Sequence, residues 1–161
     1  MIVRARLLAF VAALVVFVVG LFLQITATGS LLADANEAMD TQSARTGRPP
    51  ELADRIGVSF DDLQVDVLKV TAWVLVGLTV FVVFRKAVAA VLAVAIAVPY
   101  AVFGAVNEIT ALRGPASTYG LHDWALFCHQ VGGPAIVLGA IATGITFALA
   151  RRVFLPDPVS P

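Results

Sequence analysis

The sequence predicts an all-α fold: an integral membrane four-helix bundle, with both termini in the cytoplasm and a small helical segment outside the membrane. Composition is the first reason, because 60% of the 161 residues are hydrophobic and only 14% are charged. A soluble domain is about 45–50% apolar and about 25% charged, so the surplus apolar surface must face lipid. The second reason is four apolar stretches of membrane-spanning length, and the third is that basic residues gather on one side of them. This composition excludes a soluble enzyme and, with a net charge of zero, a nucleic-acid-binding protein.

The span boundaries follow from the length of helix that crosses a bilayer, about 20 residues. In the first span only Gln24 and Thr26 are polar, and both lie near its far end. The last apolar stretch, Trp124 to Ala150, is too long for one perpendicular span. We expect a break at Gly132-Gly133-Pro134, because proline lacks an amide proton and fits the first turn of a helix. The predicted spans are therefore 7–27, 67–84, 87–106 and 134–150.

The distribution of charge predicts the orientation. Six basic residues share one side of the predicted membrane: Arg4, Arg6, Arg85, Lys86, Arg151 and Arg152. By the positive-inside rule this side is cytoplasmic. Ten of the eleven acidic residues, all but Asp157, fall on the other side. We therefore expect a multi-pass protein of the bacterial inner membrane, with the larger loop outside the cytoplasm. The parts outside the spans are an outer segment at 28–66, an outer loop with an interfacial helix at 108–131, and a cytoplasmic tail at 153–161.

The outer segment has the sequence pattern of short helices joined by a turn. We expect the first span to continue outward as a helix until Gly47-Arg48-Pro49-Pro50 forces a turn, since proline pushes its predecessor out of the helical region. A short helix is predicted over 51–56, and the helix of the second span is predicted to begin at Ser59, which resembles a capping residue. Asp66 and Lys69 are three residues apart, so they can form an ion pair.

A cluster of polar residues is predicted at the outer ends of the third and fourth spans. Its members are Asn107, Glu108, His122, Asp123 and His129, with Gln130 beside them. His122 and His129 lie on one helix face, about 10 Å apart along the axis. The cluster is compatible with a proton relay, a headgroup-binding pocket or a metal site. The plainer interpretation, which we favour, is that polar residues lie here because the membrane surface is hydrated.

No catalytic residue, metal or cofactor is assigned from the sequence. The two histidines share one helical segment, whereas a haem normally takes its two imidazoles from different helices. Cys128, the only cysteine, points about 100° away from His129 on the helix, which disfavours a zinc site. The chain has no glycine-rich phosphate loop and no recognisable serine–histidine–acid spacing.

Small residues predict how the spans pack. Alanines recur every fourth position in the third span, at Ala89, Ala93, Ala97, Ala101 and Ala105. The fourth span repeats the theme around Gly139 and Gly144. Small residues at this spacing let helix backbones approach closely in lipid, so we expect a packing seam between these two spans. The first span shows little small-residue seam, and we expect it to face lipid or another subunit.

Several features of layout indicate a resemblance: Arg4-Ala5-Arg6 before the first span, the acidic outer segment, Arg85-Lys86 and Arg151-Arg152. In these the chain resembles small four-span actinobacterial membrane proteins described as drug/metabolite-type transporters. Some proteins of that kind accompany Mce-type lipid-import complexes, and others accompany respiratory supercomplexes. The resemblance implies a role bound to a partner, and it supplies no site residues.

Three functions remain open at this point. No ionisable residue lies at the centre of any predicted span, and such residues are the usual mark of an ion pathway. We therefore favour a non-enzymatic accessory subunit that binds a larger integral membrane complex and membrane lipids, and no nucleic acid. The alternatives are a small oligomeric transporter of lipids or hydrophobic small molecules, and a redox or hydrolytic membrane enzyme that uses the outer polar cluster.

Overall fold

The computed structural model describes residues 2–49, 52–111 and 123–155, and within these ranges it contains helices and no strand. The helices are α1 (Ile2–Thr46), α2 (Leu52–Val83), α3 (Ala87–Ala111) and α4 (Asp123–Phe154). All four contain apolar segments long enough to cross a membrane. The predicted all-α class and the four membrane-crossing helices are thus confirmed, and the chain is a multi-pass membrane protein.

The four helices form a ring in which each packs mainly against two neighbours. α1 contacts α2 and α4, and α3 contacts the same two helices from the other side. α1 and α4 are antiparallel, because Phe10 near the start of α1 lies 5.5 Å, ring to ring, from Phe154 at the end of α4. A three-residue turn joins α2 to α3, so these two helices are also antiparallel neighbours.

All four helices contribute to the core of the ring, and its largest fully buried side chains lie on one face of α1. Phe10, Leu14, Phe17 and Leu21 recur at helical spacing and are fully buried. The opposite face, with Leu8 67% exposed, remains open to the surroundings. The expectation that the first span faces lipid or another subunit omits the buried face of this span, which makes the most extensive contact between two helices of the ring.

α1 is much longer than a membrane is thick. Its 45 residues correspond to about 68 Å at the rise of an α-helix, more than twice the apolar core of a bilayer, about 30 Å. The helix ends at Thr46, and Gly47 follows with φ 63° and donates its N–H to the Ser43 carbonyl over 2.9 Å. This left-handed glycine cap places the chain reversal where the glycine and prolines predict a turn.

α2 differs from the prediction at its start. It runs without interruption from Leu52, so the predicted short helix over 51–56 and the predicted beginning at Ser59 are parts of one helix; Glu51 lies outside the described residues. Gly57, between them, costs the helix only about 1 kcal/mol. The predicted Asp66–Lys69 ion pair is confirmed, with Nζ 3.2 Å from Oδ1, but both side chains are largely exposed and the pair contributes little to stability.

α4 also differs from the prediction, because it is continuous through Gly132-Gly133-Pro134. The predicted division into an interfacial helix ending at 131 and a span at 134–150 is therefore wrong. Pro134 removes one helical hydrogen bond, but α4 is held against α1 on both sides of this proline, at Gly132 and Gly139. The glycine interpreted as a helix breaker is a point of close packing.

The turn between α2 and α3 ends α2 with a Schellman motif. Arg85 donates its N–H to the Val82 carbonyl over 2.8 Å, and Lys86 donates to the Phe81 carbonyl over 3.1 Å. Arg85 takes the left-handed conformation, with φ 58°, at the position that glycine usually occupies. For a residue with a Cβ this conformation costs about 1–2 kcal/mol.

Candidate functional site at the α1–α4 interface

Three glycines bring the backbones of α1 and α4 into direct contact. A Cβ added to Gly139 would lie 2.5 Å from the backbone nitrogen of Phe17. One added to Gly20 would lie 2.6 Å from the backbone nitrogen of Ile136, and one added to Gly132 would lie 2.9 Å from that of Gln24. A real Cβ fits none of these places, so the close approach requires glycine at all three.

The tightest glycine contacts of the fourth span are therefore with α1, and the expected seam between the third and fourth spans is a looser one. Gly104 of α3 approaches α4 through the Val137 side chain, 3.0 Å from the position of its missing Cβ. Nothing lies within 4 Å of a Cβ placed on Gly144, so the structure gives this predicted packing residue no close partner. Among the alanines of α3, Ala89, Ala93 and Ala97 are buried, and Ala101 and Ala105 are half-buried.

A polar pair joins the same two helices at the end of this interface. The side-chain Nε2 of Gln24 lies 3.3 Å from Nδ1 of His129, and both side chains are half-buried. Because an amide nitrogen can only donate, Nδ1 accepts, and a neutral His129 then carries its proton on Nε2. The other amide atom, Oε1 of Gln24, is buried without a hydrogen-bond partner and faces Gly132, 3.3 Å from the position of its missing Cβ.

The Gln24–His129 pair lies far from the basic end of the bundle. Gln24 is about 27 Å along α1 from Arg6, and His129 is about 33 Å along α4 from Arg151, at 1.5 Å per residue. Since the apolar core of a bilayer is about 30 Å thick, the pair lies near the opposite membrane surface. A polar interhelical contact at this depth stabilises packing by about 0.6 kcal/mol.

The structure describes one side chain of the predicted polar cluster, that of His129. Asn107 and Glu108 belong to the last turns of α3, and Asp123 is the first residue of α4. Their side chains, and the whole of His122, lie outside the described residues. The contact of His129 is with Gln24, a residue of the predicted first span that the predicted cluster does not include. An amide inside an otherwise apolar run was the signal that could have identified it.

A second polar pair lies deeper in the bundle, between α2 and α3. The Tyr100 hydroxyl donates to Oγ1 of Thr71 over 3.2 Å, about 21 Å along α3 from Lys86. The Tyr100 ring meets Phe17 edge-on, with centroids 5.4 Å apart. Phe17 thus touches the Gly139 backbone on α4 and an aromatic ring on α3, so it joins three of the four helices.

The described residues contain no group of three or more histidine, cysteine, aspartate or glutamate side chains arranged to hold a metal. Cys128 is fully buried. An open cleft of 520 Å³ runs beside the C-terminal part of α1, along a face that includes Asp34, Glu37 and Arg45. The polar side chains that the structure does place between helices, at Gln24 and Tyr100, hold the helices together.

Comparisons with protein-family models, curated proteins and solved structures found no match to this chain.

Proposed function

We propose that the chain is a non-enzymatic accessory subunit of a larger bacterial inner-membrane complex, of the lipid-import or respiratory kind. In this proposal both termini lie in the cytoplasm, and the outer half of α1 with the start of α2 lies outside. The partner binds this outer pair of helices and one lipid-exposed face of the bundle. The chain contributes binding and stability to the complex rather than chemistry.

The observation that supports this proposal most directly is that α1 is longer than a membrane-crossing helix needs to be. From Thr28 to Thr46 the helix continues for about 27 Å. Leu31 on this extension is 37% exposed, and Leu63 on α2 is 61% exposed. Leucines exposed in an aqueous segment favour a contact surface for another protein. Leu32 and Met39 are half-buried. The proposed docking surface also includes Leu52, Ile56 and Phe60, whose side chains lie outside the described residues.

The charge pattern of the spans supports a passive role. Between Arg6 and Asp34 of α1, and between Lys86 and Glu108 of α3, the sequence has no ionisable side chain except Tyr100. Tyr100 is hydrogen-bonded to Thr71. Proton and ion pathways use ionisable groups within the membrane, so these spans are better suited to packing than to ion transport.

Purification of the tagged native protein in mild detergent, followed by mass spectrometry, tests the proposal. We expect a co-purifying membrane complex at a fixed ratio, lost when Leu31→Glu and Leu63→Glu are combined. Ala33→Glu adds a charge to the same exposed part of α1 without removing a large apolar side chain, and it should keep the complex. Loss of the complex in both variants, or in neither, would contradict docking through the outer leucines.

The alternative functions predict different effects of mutations in the polar cluster. An enzyme or a transporter that uses the polar cluster should lose activity on replacement of Glu108, His122, Asp123 and His129, whereas an accessory subunit should keep its partner. Transport by the purified chain alone in liposomes, abolished by Glu108→Gln or His129→Ala, would overturn the proposal.

The proposed orientation has its own test, in a Cys128→Ala background that removes the native thiol. A cysteine at Gln42 should react with a membrane-impermeant thiol reagent in intact spheroplasts, and one at Ser160 should not. Labelling at Ser160 alone would reverse the topology.

A further inference from the structure

Basic residues from three separate parts of the chain meet at one end of the bundle. Contact between the Phe10 and Phe154 rings joins the start of α1 to the end of α4. The Phe22 and Trp73 rings are in contact at similar distances along the chain from the connection between α1 and α2, so these helices are antiparallel and the α2–α3 turn lies at this same end. The basic residues of this end are all exposed: Arg4, Arg6, Arg85, Lys86, Arg151 and Arg152. No acidic residue lies at this end within the described ranges, and Asp157 is outside them.

The α2–α3 turn has two features that its role as a connection does not require. The first is Arg85 at φ 58°, a left-handed position at which glycine has no steric penalty and arginine does. Glycine would allow the turn to form more easily, so the backbone conformation is not a reason for an arginine here. What arginine provides and glycine lacks is a cationic side chain beside Lys86.

The second feature is the first turn of α3. The Lys86 carbonyl accepts the N–H of Ala90 over 3.3 Å, so Lys86 is the N-cap residue. Neither Lys86 nor the three residues after it, Ala87 to Ala89, carries a side-chain acceptor for the first N–H groups of the helix. Such N–H groups bind anionic oxygens well, and here they lie beside two cationic side chains.

Apolar side chains flank this turn on the outside of the bundle. Phe84, just before Arg85, is 70% exposed, and Val88, just after Lys86, is 71% exposed. The surface therefore combines cations, helix N–H donors and two apolar side chains at the end of a membrane span. An ion in solution gains nothing from the exposed Phe84 and Val88 side chains, whereas the acyl chains of a lipid pack against them.

We propose that the α2–α3 turn is a binding site for an anionic phospholipid. Arg6 and Arg151 add to the positive electrostatic potential around this turn. The lipid phosphate accepts hydrogen bonds from Arg85, Lys86 and the first N–H groups of α3, and the acyl chains lie against Phe84 and Val88. A net negative headgroup is favoured because a zwitterionic lipid brings its own cation into a surface that is already basic. The site is independent of the accessory role.

Arg85→Gly tests the site without threatening the fold, because glycine relieves the left-handed backbone. The purified chain in neutral detergent is titrated with phosphatidylglycerol, and bound lipid is counted by native mass spectrometry. We expect binding about fivefold weaker in Arg85→Gly, which corresponds to about 1 kcal/mol for one cation near a membrane surface. The melting temperature should be equal to or above that of the wild type.

The matched control is Arg48→Gly, which removes an exposed arginine from the turn at the other end of the bundle and should leave lipid binding unchanged. Phosphatidylcholine should bind weakly to all three proteins, and excess inorganic phosphate should not displace phosphatidylglycerol. The proposal is overturned by equal binding of the two lipids, by wild-type binding in Arg85→Gly, or by an equal loss in Arg48→Gly. Displacement by inorganic phosphate would make this a simple anion site and overturn the lipid assignment.

Discussion

Replacing Gly139 with alanine would place a methyl group 2.5 Å from the backbone nitrogen of Phe17 and 2.6 Å from its Cα. Carbon atoms in contact are normally about 3.5–4.0 Å apart, so α1 and α4 must separate by about 1 Å at this point. A gap of this size removes about a quarter to a half of the dispersion energy of each contact. The obstacle is backbone, so no side-chain rotation can relieve it. We expect a loss of about 1–3 kcal/mol, the usual range for overpacking.

Gly144→Ala is the matched control, because it makes the same change in the same helix where nothing lies within 4 Å. It should leave stability unchanged or raise it by up to about 1 kcal/mol through helix propensity. The free energy of unfolding is measured by titrating sodium dodecyl sulfate into mild-detergent micelles, with tryptophan fluorescence as the readout. If Gly139→Ala is as stable as Gly144→Ala, the backbone contact between α1 and α4 does not exist and the packing argument fails.

The same assay checks three further predictions. Ala97→Leu overfills a buried position of α3 and should lower the free energy of unfolding by about 1–3 kcal/mol, whereas Ala95→Leu on the exposed face should not change it. Equal losses in the two variants would show that the buried face of α3 is assigned wrongly. Tyr100→Phe removes the hydroxyl of an interhelical hydrogen bond and should lose about 0.6 kcal/mol, and a loss of several times this value would mean that the ring has moved as well. A double-mutant cycle of Gln24→Leu and His129→Leu should give a coupling of about 0.6 kcal/mol, and a coupling of zero would show that the pair does not interact.

Local properties of the sequence were enough to predict the number of membrane-crossing helices and the turn after Thr46. A span depends on a run of apolar residues, and a turn depends on a few neighbours such as Gly47 and the prolines after it. The Asp66–Lys69 pair was predictable for the same reason, since residues three apart on a helix are neighbours in any fold. The local pattern gave a wrong prediction at Gly132-Gly133-Pro134. This sequence is typical of a helix break, but in the structure the helix continues and Gly132 packs against another helix.

Only the tertiary structure decided which helices are neighbours and which of their faces meet. Gln24 and His129 are 105 residues apart in the sequence, and the contact of Gly139 with Phe17 joins the same two distant helices. In a membrane, the side chains that face lipid and those that face the core are both apolar, so hydropathy shows that α1 crosses the bilayer but not which of its faces is buried. The close approach of α1 to α4 depends on each glycine of one helix lying against the backbone of the other helix. These contacts between distant parts of the chain exist only after the helices have packed.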